Sequence, residues 1–261
     1  MMIEMYSSLI AEWYKVRRSS FLWVTFVAFS LGPIMGGLIL FLIASADPAL
    51  EGGMLMEKAK MMGFEVNWES YMALLAQVVG VGGVLVFGFV ISWLFGREYS
   101  DQTTKDLLAL PTSRNSILSA KFILYVLWCM ALVLSNFILA LVLGKLLGLG
   151  LISFSETSLI IYLLTTILVI CLGPPIAFFS LWGQGYMVPL GFVTLMLVIS
   201  QIIGAIGYGH YFPWALPGLF SGSAGVYRDL INSLSYFILL SVCVSGIIAT
   251  YWYWNRSDQH G

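Results

Sequence analysis

Six stretches of about 20 or more apolar residues divide the chain, near 20–45, 71–95, 117–147, 157–180, 186–207 and 231–254. Each is long enough to cross a hydrocarbon layer about 30 Å thick at a helical rise of about 1.5 Å per residue. Lipid offers no partner to a backbone N–H or C=O, so a spanning segment has to satisfy those groups within itself, and an isolated run does so only as a helix. The expected fold is an all-α integral membrane protein with six transmembrane helices in one domain over residues 1–261. Composition agrees: 60% of the residues are hydrophobic and 10% charged, against about 25% charged in a soluble domain.

Basic residues set the orientation. Lys15, Arg17 and Arg18 precede the first span, Arg97, Lys105, Arg114 and Lys121 flank the loop after the second, and Arg256 follows the sixth. The other side holds Lys58, Lys60, Lys145 and Arg228, and its first loop, 46–70, carries Asp47, Glu51, Glu57, Glu65 and Glu69. Both termini are therefore expected in the cytoplasm. Ala44-Ser45-Ala46 resembles a signal-peptidase site, but the run before it is longer than a signal sequence uses, so an uncleaved first span is expected.

Several functions are disfavoured. A net charge of −1 without a basic face speaks against nucleic-acid binding. Cys129, Cys171 and Cys243 lie in apolar runs without a second ligand at metal-binding spacing, so neither a metal site nor a disulfide framework is expected. The spans lack the buried carboxylates of an ion-coupled carrier and the ionisable groups of an intramembrane enzyme. Gln77, Asn136, Gln201 and Asn232 are their main polar residues, expected to hydrogen-bond between helices. No Gly-x-x-x-x-Gly-Lys-Ser/Thr loop is present, so active transport would draw on ATP bound elsewhere.

The polar island 96–121 between the second and third apolar runs is the most informative segment. Thr103 has the chemistry of a helix N-cap, Asp106 supports the same end, and Pro111 sets a limit to the helix. A short helix at about 100–110, with Leu107, Leu108 and Leu110 as its docking face, is too short to stand alone in water and needs a membrane surface or a protein groove. Residues 4–18 read as an interfacial amphipathic helix, with Ile10, Trp13 and Tyr14 toward lipid and Glu12, Lys15, Arg17 and Arg18 toward water. Gly173-Pro174-Pro175 should kink or break the fourth span. The segment from Gly207 to Gly218, with Pro213 and Pro217, reads as an aromatic outer-surface cap dipping partly into the bilayer.

Arg97-Glu98-Tyr99, Thr103 or Thr104, Leu107-Leu108-Ala109-Leu110-Pro111, Ser113-Arg114, Ile117-Leu118 and Ala120-Lys121 closely resemble the cytoplasmic signature between the second and third helices of ABC-2 type transporter permeases. Glu12-Trp13-Tyr14-Lys15 looks like the family's N-terminal interfacial helix. In general texture the chain is most like the small bacterial permeases of bacitracin- and lantibiotic-resistance exporters.

The resemblance implies a permease in the bacterial plasma membrane. It would work as two permease copies, or a permease and a sister chain, with two copies of an ABC ATPase that binds ATP and Mg. Arg97 and Glu98 would join the second helix to the coupling helix, Thr103 to Leu110 would contact the ATPase, and Arg114 and Lys121 would anchor the third helix. Lys15, Arg17 and Arg18 would brace the arm. Pro174, Pro175, Pro213 and Pro217 are candidates for a gate. The expected cargo is hydrophobic or amphipathic, a peptide antibiotic or a lipid. The alternatives are an ATP-independent carrier or channel, and a membrane scaffold or sensor for an ATPase.

Overall fold

A computed structural model of the chain describes residues 2–45, 65–103, 113–223 and 225–256, and among these the regular structure is helical throughout. Helix α1 (Met2–Arg17) precedes α2 (Ser20–Ser45), α3 (Trp68–Ser100) and α4 (Arg114–Leu146). Then come α5 (Glu156–Cys171), α6 (Gly173–Trp182), α7 (Met187–Ala205), the short α8 (Leu216–Ser221) and α9 (Ser233–Arg256), with 3-10 turns at Gly209–Tyr211 and Gly225–Leu230. With α5 and α6 taken as one span, six helices among the described residues are long and apolar enough to cross a membrane. The protein is a multi-pass membrane protein. Residues 46–64 of the first loop lie outside the described residues.

The starts of the long helices are written in local chemistry. Asn67, Ser113 and Ser155 cap α3, α4 and α5, each side chain accepting the N–H three residues on. Beyond its apolar core α3 runs further at both ends than the expected 71–95, because the Asn67 cap starts it early and the chain stays helical through the charged residues 97–100.

Helix α3 is the axis of the bundle and touches α2, α4, α5, α6, α7 and α8. Over half of its apolar stretch is buried, 56%, against 17% for α7, which places α7 at the periphery with its apolar face outward. Helix α2 is fastened to it where Tyr71 donates its hydroxyl to the Pro33 carbonyl at 2.8 Å, beside Gly36 and Gly37. Phe21 stacks on Trp93 with ring centroids 4.9 Å apart, and Trp128 meets both rings edge-on.

The double proline breaks the fourth span as its chemistry requires. Helix α5 ends at Cys171, Leu172 turns the chain, and Pro174 and Pro175 occupy the first turn of α6, where a missing N–H costs least. Tyr125 of α4 fills the elbow from one side and donates its hydroxyl to the Ile170 carbonyl at 3.3 Å. Gly246 of α9 packs on the prolines from the other. The turn Gly183–Tyr186 lays α7 against α6, with Gln184 in the left-handed region at φ 48°.

The segment carrying Pro213 and Pro217, expected as a cap dipping partly into the bilayer, packs inward as a plug. Residues 213–219 are buried, and α8 packs against α3 and α5. A second expectation also changes: Asn232 caps α9 by accepting the Ser235 N–H, and both amide atoms of the buried Asn136 lack partners among the described residues.

Candidate functional site

Four charged side chains converge where α1, the end of α3 and the start of α4 meet. Glu12, Glu98 and Lys121 are each at most 6% exposed, and Lys15 closes the group at its outer edge. Lys121 donates to both carboxylate oxygens of Glu98 at 2.7 Å, to the Leu94 carbonyl at 2.7 Å and to Glu12 Oε2 at 3.3 Å. Lys15 donates to Glu12 Oε1 at 2.6 Å and to Glu98 Oε1 at 3.2 Å. Two cations face two anions, so the cluster is neutral, and the Lys121 ammonium has a partner for each of its three protons.

Local geometry explains how the charges meet. Ser8, Glu12 and Val16, four residues apart, form the buried stripe of α1, and that stripe lies on α4. Arg97 reaches back from α3 to donate to the Lys15 carbonyl at 3.3 Å, with its guanidinium 4.8 Å over the Trp93 ring.

Helix α3 then stops abruptly. The Thr103 N–H donates to the Glu98 carbonyl and the Gln102 N–H to that of Tyr99, while Gln102 sits in the left-handed region at φ 58°. This pair of bonds is the Schellman ending of a helix. It corrects the expected start of a separate helix at residue 100. Ser100 is the last residue of α3 and 101–103 form its terminating turn, so no new helix begins before 104.

The other expected site residues fall as follows. Thr103 is exposed in that turn, Arg114 is the exposed first residue of α4, and Arg17 and Arg18 are exposed at the end of α1. Thr104, Leu107, Leu108 and Leu110 lie outside the described residues, as does any helix they form. Glu98 turns inward to the cluster, so its carboxylate is a brace inside the bundle. Glu12, assigned to the water side of α1, is buried, because Lys121 and Lys15 supply the counter-charge that lets it leave water. The clue in the sequence is Lys121 itself, a lone cation followed at once by Phe122-Ile123-Leu124, which has to find an anion.

Burial alone would raise the Glu12 carboxyl, but Lys121 and then Lys15 outweigh it and hold it below its ordinary value of 4.5. A carboxyl depressed on folding contributes stability that is complete above the unfolded value and vanishes as the pH falls through the folded one. The intact chain should therefore melt above a Glu12→Gln variant at neutral pH, and the gap should close only in acid, below about pH 4.5. A gap unchanged down to the folded value would show that Glu12 acts through shape alone.

Among the described residues no group of three His, Cys, Asp or Glu side chains gathers to hold a metal ion. What the arrangement does is mechanical. It locks three helices at the two points where the chain enters and leaves the loop between α3 and α4.

Residues 8–201, which include all four charged residues, match the ABC-2 family transporter protein family. Over 183 residues the chain is 26% identical to the bacitracin transport permease protein BCRB of Bacillus licheniformis, covering 68% of this chain and 86% of that protein.

Proposed function

The chain belongs to the ABC-2 family of transporter proteins, and from that premise we propose that it is driven by a separate ATP-hydrolysing subunit docked on the loop between α3 and α4. As an ABC-2 permease it is the transmembrane subunit of a transporter. The observation that carries the proposal is the four-charge cluster, because it makes both roots of that loop part of one rigid body with α1. A force applied to the loop would pass directly into α3, the helix that α2, α4, α5, α6 and α7 all lean on.

Two permeases and two ATPases would form the working unit, with ATP and Mg held by the ATPases. Arg17, Arg18, Arg97 and Arg114 all lie around this junction, which supports placing it, and both termini, on the cytoplasmic side of a bacterial plasma membrane. Thr103, Thr104, Leu107, Leu108 and Leu110 would contact the ATPase. The elbow at Pro174 and Pro175 and the buried plug with Pro213 and Pro217 would open the path, since they are the two places inside the bundle where continuous helix gives way. The cargo would be hydrophobic or amphipathic, and a peptide antibiotic such as bacitracin is the first to try, given the relative's name.

A Leu107→Asp variant tests this. It should fold and insert normally yet abolish ATP-dependent movement of bacitracin in vesicles holding the permease and its ATPase. Unchanged transport in that variant would remove the proposed docking face.

A further inference from the structure

Beside the charge cluster, and sharing only Lys15 with it, a cavity of about 590 Å³ opens between α1, α2, α3 and the start of α7. We propose that it is a binding site for the head and glycerol backbone of an anionic phospholipid.

The charges are arranged for a phosphate. Arg18, Lys15 and Arg97 line the mouth, and Asp101 is the one anion among the lining residues. Lys15 is committed to Glu12 and Glu98, and Asp101 to Arg97 Nε at 3.3 Å. Arg18 has no ion pair among the described residues. Of the five N–H donors of Arg97, one goes to Asp101 and one to the Lys15 carbonyl, which leaves three for a ligand. Two arginines with spare donors at one opening can hold a phosphate through several charge-assisted bonds.

The deeper part of the cavity identifies the rest of the ligand. Ser92 lines it, is fully buried, and its hydroxyl has no hydrogen-bond partner among the described residues. A buried hydroxyl left unpaired is costly unless a partner arrives. Five residues of helix separate Ser92 from Arg97, about 7 Å along the axis. That is close to the depth of one headgroup layer, about 5–7 Å per leaflet. A lipid whose phosphate meets the arginines would therefore bring an ester carbonyl to the depth of Ser92, whose covered hydroxyl would turn to meet it, while Phe21, Phe89 and Leu190 offer an apolar wall to the chains below. A free phosphate held by the arginines does not span the distance to Ser92 and offers that wall nothing apolar, and a zwitterionic lipid forfeits part of the attraction to the arginines through its own cation.

Native mass spectrometry of the full chain, delipidated in neutral detergent and titrated with phosphatidylglycerol, phosphatidylcholine or inorganic phosphate, tests the site. The expected result is one saturable phosphatidylglycerol per chain, weakened by added salt and about fivefold by Arg18→Ala, as for one basic residue at an anionic surface. Ser92→Ala should also weaken it while leaving the melting temperature unchanged or higher, because it removes only an unpaired hydroxyl. Both variants lie outside the four-charge cluster, so a lost site is not a lost fold. Equal binding of phosphatidylcholine, displacement of the lipid by inorganic phosphate alone, or indifference to both substitutions would overturn the assignment. So would loss of the site as chains associate, which would give the cavity to a second copy.

Discussion

Replacing Lys121 with methionine should cost the folded protein about 3–5 kcal/mol, the usual penalty for removing one partner of a buried ion pair. The substitution keeps the length and apolar stem of the side chain but leaves Glu12 and Glu98, both buried, to share Lys15 alone. Solvating one of those carboxylates means prising α1 from α4 or α3 from both. Thermal unfolding of the detergent-purified chain measures the loss. A second variant separates charge from shape: Glu98→Gln combined with Lys121→Met leaves the neutral pair Glu12 and Lys15, 2.6 Å apart. This double variant should regain more than half of what the single one loses. Equal melting of the single variant and the intact chain would mean that the cluster holds nothing together.

The second large effect is steric. A Cβ on Gly246 would stand against the Pro175 nitrogen and 2.8 Å from the Pro174 carbonyl carbon. These are backbone atoms and cannot rotate aside. Close approach of this kind is how helices gain packing in lipid, where burial of apolar surface adds little. Gly246→Val must therefore push α9 off the elbow or shift the elbow, at about 1–3 kcal/mol or more. Gly191 on α7 is the control, since a Cβ there meets nothing within 4 Å. Gly191→Ala should be neutral or slightly stabilising, as alanine suits a helix interior better than glycine. Equal melting of both glycine variants would contradict the tight contact between α6 and α9.

How much of this was legible in the sequence depends on the range over which each feature is determined. The spans follow from local apolar content alone, and the break at Pro174 follows from a missing N–H, so both can be read without knowing any neighbour. The cluster is different. Glu12, Glu98 and Lys121 are far apart in the chain, and a glutamate on a short amphipathic helix belongs in water unless a cation waits across the interface. Periodicity places Glu12 on the polar face for that reason, and the buried Lys121 reverses it. The end of α3 is hidden in the sequence for a related reason: Gln102 holds a left-handed turn that glycine usually takes, so no glycine marks the stop. The plug at 213–219 has the aromatic content of an interfacial cap, and only its packing against α3 and α5 shows that it lies inside.

The central claim, that the loop mounted on the four-charge cluster is where an ATP-hydrolysing subunit engages, is tested most directly by co-purification. The intact chain and Leu107→Asp would be expressed with the candidate ATPase, extracted in mild detergent, captured through the permease and assayed for bound ATPase and for a folded permease. The intact chain should retain the ATPase in fixed proportion, and the variant, equally folded, should release it. Retention of the ATPase by both, or by neither while the permease stays folded, would contradict the assignment.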